Sequence, residues 1–244
     1  MSKPELFISI DIETDGPAPG INSMLALGAA AFPADGGKET GWYCNMFPLA
    51  GAVQNDETMK WWAMPSQRAA YAEVTEDPTP PDFAMIRFVE WLEEDLKGHK
   101  LIAVGWPIAF DFAFVNWYCW KFTGRNPLGF AGLDIRSYAN GLADHPQYYS
   151  LPEEEVWNMT GKLDKAGLRP HHALDDAIGQ GRLFMGLRRE ALLRQEIKGE
   201  TRFRMGAADQ IRFNAREDAI HELSVMDPKD RAKLLSIYRH PSGH

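Results

Sequence analysis

F-I-S-I-D-I-E-T-D-G, residues 7–16, is an apolar run with two carboxylates inside it. Isoleucine and phenylalanine at this density announce a buried strand. Strand side chains alternate faces, so Leu6, Ile8, Ile10 and Ile12 share one face, and Phe7, Ser9, Asp11 and Glu13 the other. Two readings compete. A half-buried antiparallel strand with its polar face in water shows this alternation. In the other reading, Asp11 and Glu13 are neighbouring like charges whose repulsion a bound cation removes.

The rest of the chain narrows the choice. At 244 residues it is long enough for one large domain, or for a domain with an appendage. The most apolar run, Trp106 to Trp120, is cut by Asp111, so no membrane span is expected. Asp11 and Glu13 come too early for a secretory signal. Cys44 and Cys119 are the only cysteines, which excludes a disulfide framework and suggests a cytoplasmic protein. The net charge of −8 argues against a broad, non-specific nucleic-acid surface. Half of the basic residues nevertheless lie between Arg182 and Arg239, where they outnumber the acids. A solvated helical face or a local basic surface would both account for that.

Strands are expected at 5–13, 24–32 and 42–47, joined by short Gly- and Pro-containing turns as an antiparallel meander. Short helices follow at 55–62 and 66–74. A longer one at 82–96 carries an apolar stripe through Phe83, Ile86, Val89 or Glu90, and Leu92 or Leu96. Leu101 to Gly105 reads as a buried strand feeding an apolar helix to about Phe122. Residues 132–135 read as a short strand, and 136–142 as a helix. Residues 144–170 look irregular, and 173–198 form a long amphipathic helix. Three meander strands followed by alternating helices and strands predict an α/β fold with a mixed β-sheet flanked by helices. The domain is expected over residues 1–198. A helical C-terminal extension follows over 199–244, with helices at 216–225 and 228–238.

Two further stretches carry chemistry. In W-P-I-A-F-D-F-A-F-V, Asp111 is a charge among aromatic and aliphatic residues, so it caps the helix start or binds a cation. In R-P-H-H-A-L-D-D-A-I, residues 169–178, two histidines precede two aspartates at the opening of a helix. Either His172 or Asp175 caps the helix with the others solvated, or an imidazole serves as a proton acceptor beside a metal-holding carboxylate.

Taken in order, D-x-E at Asp11 and Glu13, F-D at Asp111, and H-x-A-x-x-D-A at His171, Ala173, Asp176 and Ala177 resemble the DEDDh-type 3′–5′ exonucleases. The resemblance covers roughly residues 5 to 190. His172 with Asp176, and His171 with Asp175, have the spacing of the tyrosine-using branch. The flanking alanines favour His171 with Asp176. Many members carry Asn where this chain has Pro107. The T-M-K-W-W segment, residues 58–62, is similar to one in a phage and actinobacterial branch.

The resemblance implies a ribonuclease-H-like fold and two divalent cations, Mg²⁺ or Mn²⁺, which suit oxygen ligands. It implies that Asp11 bridges both ions, that Glu13 and Asp176 complete one site, and that Asp111 holds the second. His171 is then the catalytic base, and Thr14 touches the terminal nucleotide. The implied partners are single-stranded DNA or RNA 3′ ends, with nucleoside 5′-monophosphates as products. Oligomeric state and sugar preference are open at this level. Two alternatives stand beside this: a haloacid-dehalogenase-like phosphatase with Asp11 as nucleophile, and an inactive ribonuclease-H-like binding module.

Overall fold

The structure, a computed structural model, describes residues 3–149, 151–160 and 167–204. Two units are distinguished, Met1–Ala191 and Leu192–His244, and the first carries the sheet. The helices expected at 216–225 and 228–238 lie outside the described residues.

Five strands form one mixed sheet. β1 (Glu5–Thr14), β2 (Met24–Pro33) and β3 (Thr40–Asn45) make the antiparallel meander, and β4 (Lys100–Gly105) and β5 (Gly132–Asp134) join in parallel. The order is β3-β2-β1-β4-β5, so β1 is central. Between β3 and β4 come α1 (Asp56–Trp62), α2 (Arg68–Val74) and α3 (Pro81–Glu90), the last continuing as a π-helical turn, Trp91–Asp95. Then follow α4 (Ile108–Thr123), α5 (Ile135–Leu142), α6 (Glu153–Asn158) and α7 (Ala173–Arg204). None of the described helices is long and apolar enough to cross a membrane.

Both faces of β1 are covered, which corrects the reading of a strand with one wet face. Leu6, Ile8, Ile10 and Ile12 pack with Met85, Phe88, Phe114 and Tyr118 from α3 and α4. Phe7 packs on the opposite face with Phe184 and Leu187 of α7 and Ile135 and Ala139 of α5. Burying large side chains such as these is worth about 1.5–3 kcal/mol each, so β1 is held at the centre of three layers.

Two details of the helices differ from expectation. The buried face of α3 is Ala84, Met85, Phe88 and Val89, while Phe83 and Ile86 face solvent. Val89 and Leu92 of the expected stripe are buried, and Ala84, Met85 and Phe88 complete the face in place of Phe83 and Ile86. Within 144–170, α6 is a short helix opened by Pro152, with Val156 buried in the second core. One buried residue in a six-residue helix leaves no periodic signal.

Gly28 of β2 lies opposite Asp11 in the ladder. A Cβ there would collide with backbone atoms of Ala173 and Leu174. The missing side chain therefore lets the start of α7 rest on β2 beside Asp11. Gly28→Ala is expected to destabilise the protein by about 1–3 kcal/mol through overpacking and to depress hydrolysis further, by displacing the opening of α7. Thermal denaturation and activity on one preparation would check this, and an unchanged melting temperature would refute the close approach.

Candidate active site

The site grows from a mismatch in strand length. Pairing of β1 with β4 ends at Ser9 and Val104, so the carboxyl end of β1 runs past β4 with one edge free. The chain leaving β4 turns at Pro107 and starts α4 there. This brings Asp111, in the first turn of α4, against β1, where the Ile12 backbone hydrogen-bonds to its carboxyl group. Residue alternation along β1 puts Asp11 and Glu13 on the face toward α7, and α7 supplies Asp176.

Glu13, His171 and Asp176 each present a ligand atom within 4.8 Å of the others. Glu13 and Asp111 are buried, and Asp11 is partly buried. Burial pushes the Asp111 carboxyl up to about 8. Asp11 and Glu13 are both raised well above the ordinary carboxylate range. Burial is the main cause for each; Asp111, Glu13 and Asp176 add repulsion at Asp11, and Asp176 and Asp111 add it at Glu13. Asp176 is raised by burial, partly offset by the His171 N–H donating to its Oδ2 at 2.8 Å. Among the described residues no lysine or arginine forms an ion pair with any of the four. Desolvated, mutually repelling carboxylates of this kind fit a hard divalent cation.

The two histidines part company. His172 sits immediately before α7, and its Nδ1 accepts the Asp175 backbone N–H at 3.3 Å, as an N-cap does. It is buried and stacked on Tyr43, with ring centroids 4.3 Å apart. Burial, helped by the Arg169 charge, lowers its pKa. Asp175 accepts from Arg169 at 2.7 Å, and Arg169 also pairs with Glu73. Those charges therefore lie in a latch outside the carboxylate cluster. His171 instead takes left-handed backbone, φ 59°, unusual for a non-glycine residue. Its ring meets Trp61 edge-on, with centroids 5.0 Å apart. Thr14 is buried at the end of β1, where its carbonyl accepts the Trp62 indole N–H at 2.9 Å.

Sequence reasoning missed Gln180. Its Nε2 donates to Asp11 Oδ1 at 2.6 Å, and its Oε1 accepts the Trp106 N–H at 2.9 Å. The amide thus ties the first strand to the loop after β4. Its only signal in the sequence was position: four residues after Asp176, on the same face of α7. Gln180→Leu is expected to lower activity about 10- to 100-fold, the usual cost of losing a group that orients a metal ligand. Steady-state kinetics across a Mg²⁺ titration would check this, and parity with the parent enzyme would refute it.

The model of the 3′–5′ exoribonuclease Rv2179c-like domain matches residues 6–186. The 3′–5′ DNA exonuclease Cap18 of Escherichia coli is 33% identical over 182 residues, covering 74% of this chain and 90% of its own. Among solved structures, the nuclease domain of 3′hExo, a DEDDh family member bound to rAMP, aligns with TM-score 0.54 at 14% identity, over 77% of this chain and 93% of that one. Pop2p of S. pombe, in a Mg²⁺- and Mn²⁺-bound form, aligns with TM-score 0.50 at 15% identity, over 76% and 83%. The fold is the ribonuclease-H-like fold of these exonucleases. A dehalogenase-like phosphatase and an inactive binding module are both set aside by these matches.

Proposed function

On the premise that this chain belongs to the Rv2179c-like 3′–5′ exoribonuclease domain family and is a 3′–5′ exonuclease, we propose that Asp11, Glu13, Asp111 and Asp176 hold two divalent cations, Mg²⁺ or Mn²⁺. In this reading His171 is the catalytic base, and single-stranded 3′ ends are trimmed to nucleoside 5′-monophosphates. The observation that carries it is the gathering of four desolvated carboxylates without a cationic partner among the described residues. Such a cluster is costly alone and favourable around a cation.

When bound, the cations supply positive charge against the phosphate and lower the pKa of the attacking water. The protein's own groups do the rest. Asp11 is the member held by Gln180, so its free oxygen is aimed before ligand arrives. Glu13 and Asp176 flank His171 closely enough for the imidazole to take a proton from water and share the resulting positive charge. Trp61 against the ring limits its swing. Thr14, beside Glu13 and anchored to Trp62, is assigned to the terminal nucleotide. A cytoplasmic setting belongs to this reading, supported by two free cysteines.

The test uses 3′-labelled and 5′-labelled single strands of DNA and RNA, with Mg²⁺ or Mn²⁺ and then with chelator. Labelled mononucleotide is expected at once from 3′-labelled strands, and a descending ladder from 5′-labelled ones. Release that persists in chelator would defeat the metal assignment. Running both nucleic acids together decides between the sugars that the two related proteins' names divide.

A further inference from the structure

Beside the carboxylate cluster, against the first turns of α7, lies a cavity of about 390 Å³. Trp106, Trp157, Leu168, Glu153, Asp176 and Gln180 line it. Two of these, Asp176 and Gln180, also belong to the candidate active site, so whatever fills the cavity adjoins the reacting phosphate. The Trp106 wall is fixed from two directions. Its N–H is held by Gln180 at 2.9 Å, and the Arg136 guanidinium stacks on its ring 5.0 Å from the centroid. Trp157 rests on the second core and donates its indole N–H to Glu153 Oε1 at 3.3 Å.

The lining selects the chemistry of the guest. Indole side chains suit a flat aromatic ring, and stacking is worth about 1–3 kcal/mol per base. The charged side chains of the lining, Glu153, Asp175 and Asp176, are all carboxylates, which disfavour a phosphate inside the cavity. Glu153 spends one oxygen on Trp157 and keeps another to accept from an exocyclic amine, as acidic side chains do with the cytosine amino group. Adenine, cytosine and guanine offer such an amine; uracil and thymine do not. Thr14 is assigned to the terminal nucleotide, and it does not line this cavity. The base one nucleotide upstream is the one left to enter it.

We infer that the Trp106–Trp157 cavity is a subsite for the penultimate nucleobase, and that Glu153 makes it prefer bases carrying an exocyclic amine. This rests on the exonuclease reading and adds to it a specificity that the hydrolytic residues do not explain.

The test uses full-length protein and single strands with a constant 3′-terminal base and each of the four bases at the penultimate position. For the parent enzyme, kcat/KM is expected to be severalfold higher with an amine-bearing penultimate base. Trp157→Ala should raise KM about tenfold, in line with the loss of one stacking contact. Glu153→Gln changes only an exposed side chain, so folding is not at stake, and it should shrink the base preference severalfold. Unchanged preference in both variants would overturn the inference, as would a preference that follows the terminal base. A parent enzyme that trims 3′ ends with no penultimate preference also overturns it, leaving the exonuclease reading intact. Failure to trim 3′ ends at all would strike the exonuclease reading itself.

Discussion

Asp11→Asn is expected to lower metal-dependent release of mononucleotides by roughly three to four orders of magnitude. Charge stabilisation by bound cations is worth several kcal/mol, and each about 1.4 kcal/mol is tenfold in rate. Asp11 is the group whose repulsions reach all three other carboxylates, so its loss removes the member shared by the whole cluster. Without metal the same substitution should act in the opposite sense. Removing a desolvated charge relieves repulsion, so the chelated variant should melt above the chelated parent. An inactive variant that is also less stable in chelator would show that Asp11 serves the fold and not a cation site.

The pH dependence of the chelated parent follows from the same groups. Asp11, Glu13 and Asp111 titrate higher in the folded chain than in the unfolded one, where a carboxyl titrates near 4. The folded state therefore keeps their protons longer. Their stabilising contribution is full below about pH 4. It is lost as pH rises toward about 8, the value to which Asp111 is pushed. Melting temperatures in chelator should fall across that window, and added Mg²⁺ should restore them most at its upper end. A chelated profile that is flat over this range would contradict the burial of these carboxyls.

The second large effect separates the histidines. His171→Ala is expected to cut kcat by about 10²–10⁴, the range for loss of a general base, while the protein still shows a Mg²⁺-induced rise in melting temperature. His172→Ala should do the reverse. It removes the helix cap and the Tyr43 stack, costing about 1–3 kcal/mol of stability for a buried polar partner. Turnover at a temperature where the variant is folded should stay within severalfold. If His172→Ala cripples turnover and His171→Ala is mild, the assignment of the base is reversed.

Much of this molecule was legible along the chain, because strands and helices leave short-range periodic marks. Alternation from Leu6 to Glu13 placed both carboxylates on one face of a strand, and β1 runs from Glu5 to Thr14. The order of the D-x-E, F-D and H-x-A-x-x-D-A stretches pointed to the ribonuclease-H-like fold. Where the signal was weak the reading slipped, as with the exposed Phe83 and Ile86 of α3 and the single buried residue of α6.

Along the chain only the flanking alanines favoured His171 over His172, and nothing local showed how the surroundings of the two differ. What separates their environments is a left-handed turn at His171 and a packing slot beside Tyr43 for His172. Gln180 acquires its role only because α7 lies against β1, across 169 residues of chain. Gly28 matters because the backbone of α7 comes to rest where its side chain would have been. Local pattern specifies the elements. Which of their side chains meet depends on where β4 stops short of β1 and how closely α7 can approach, and those are properties of packing between distant segments.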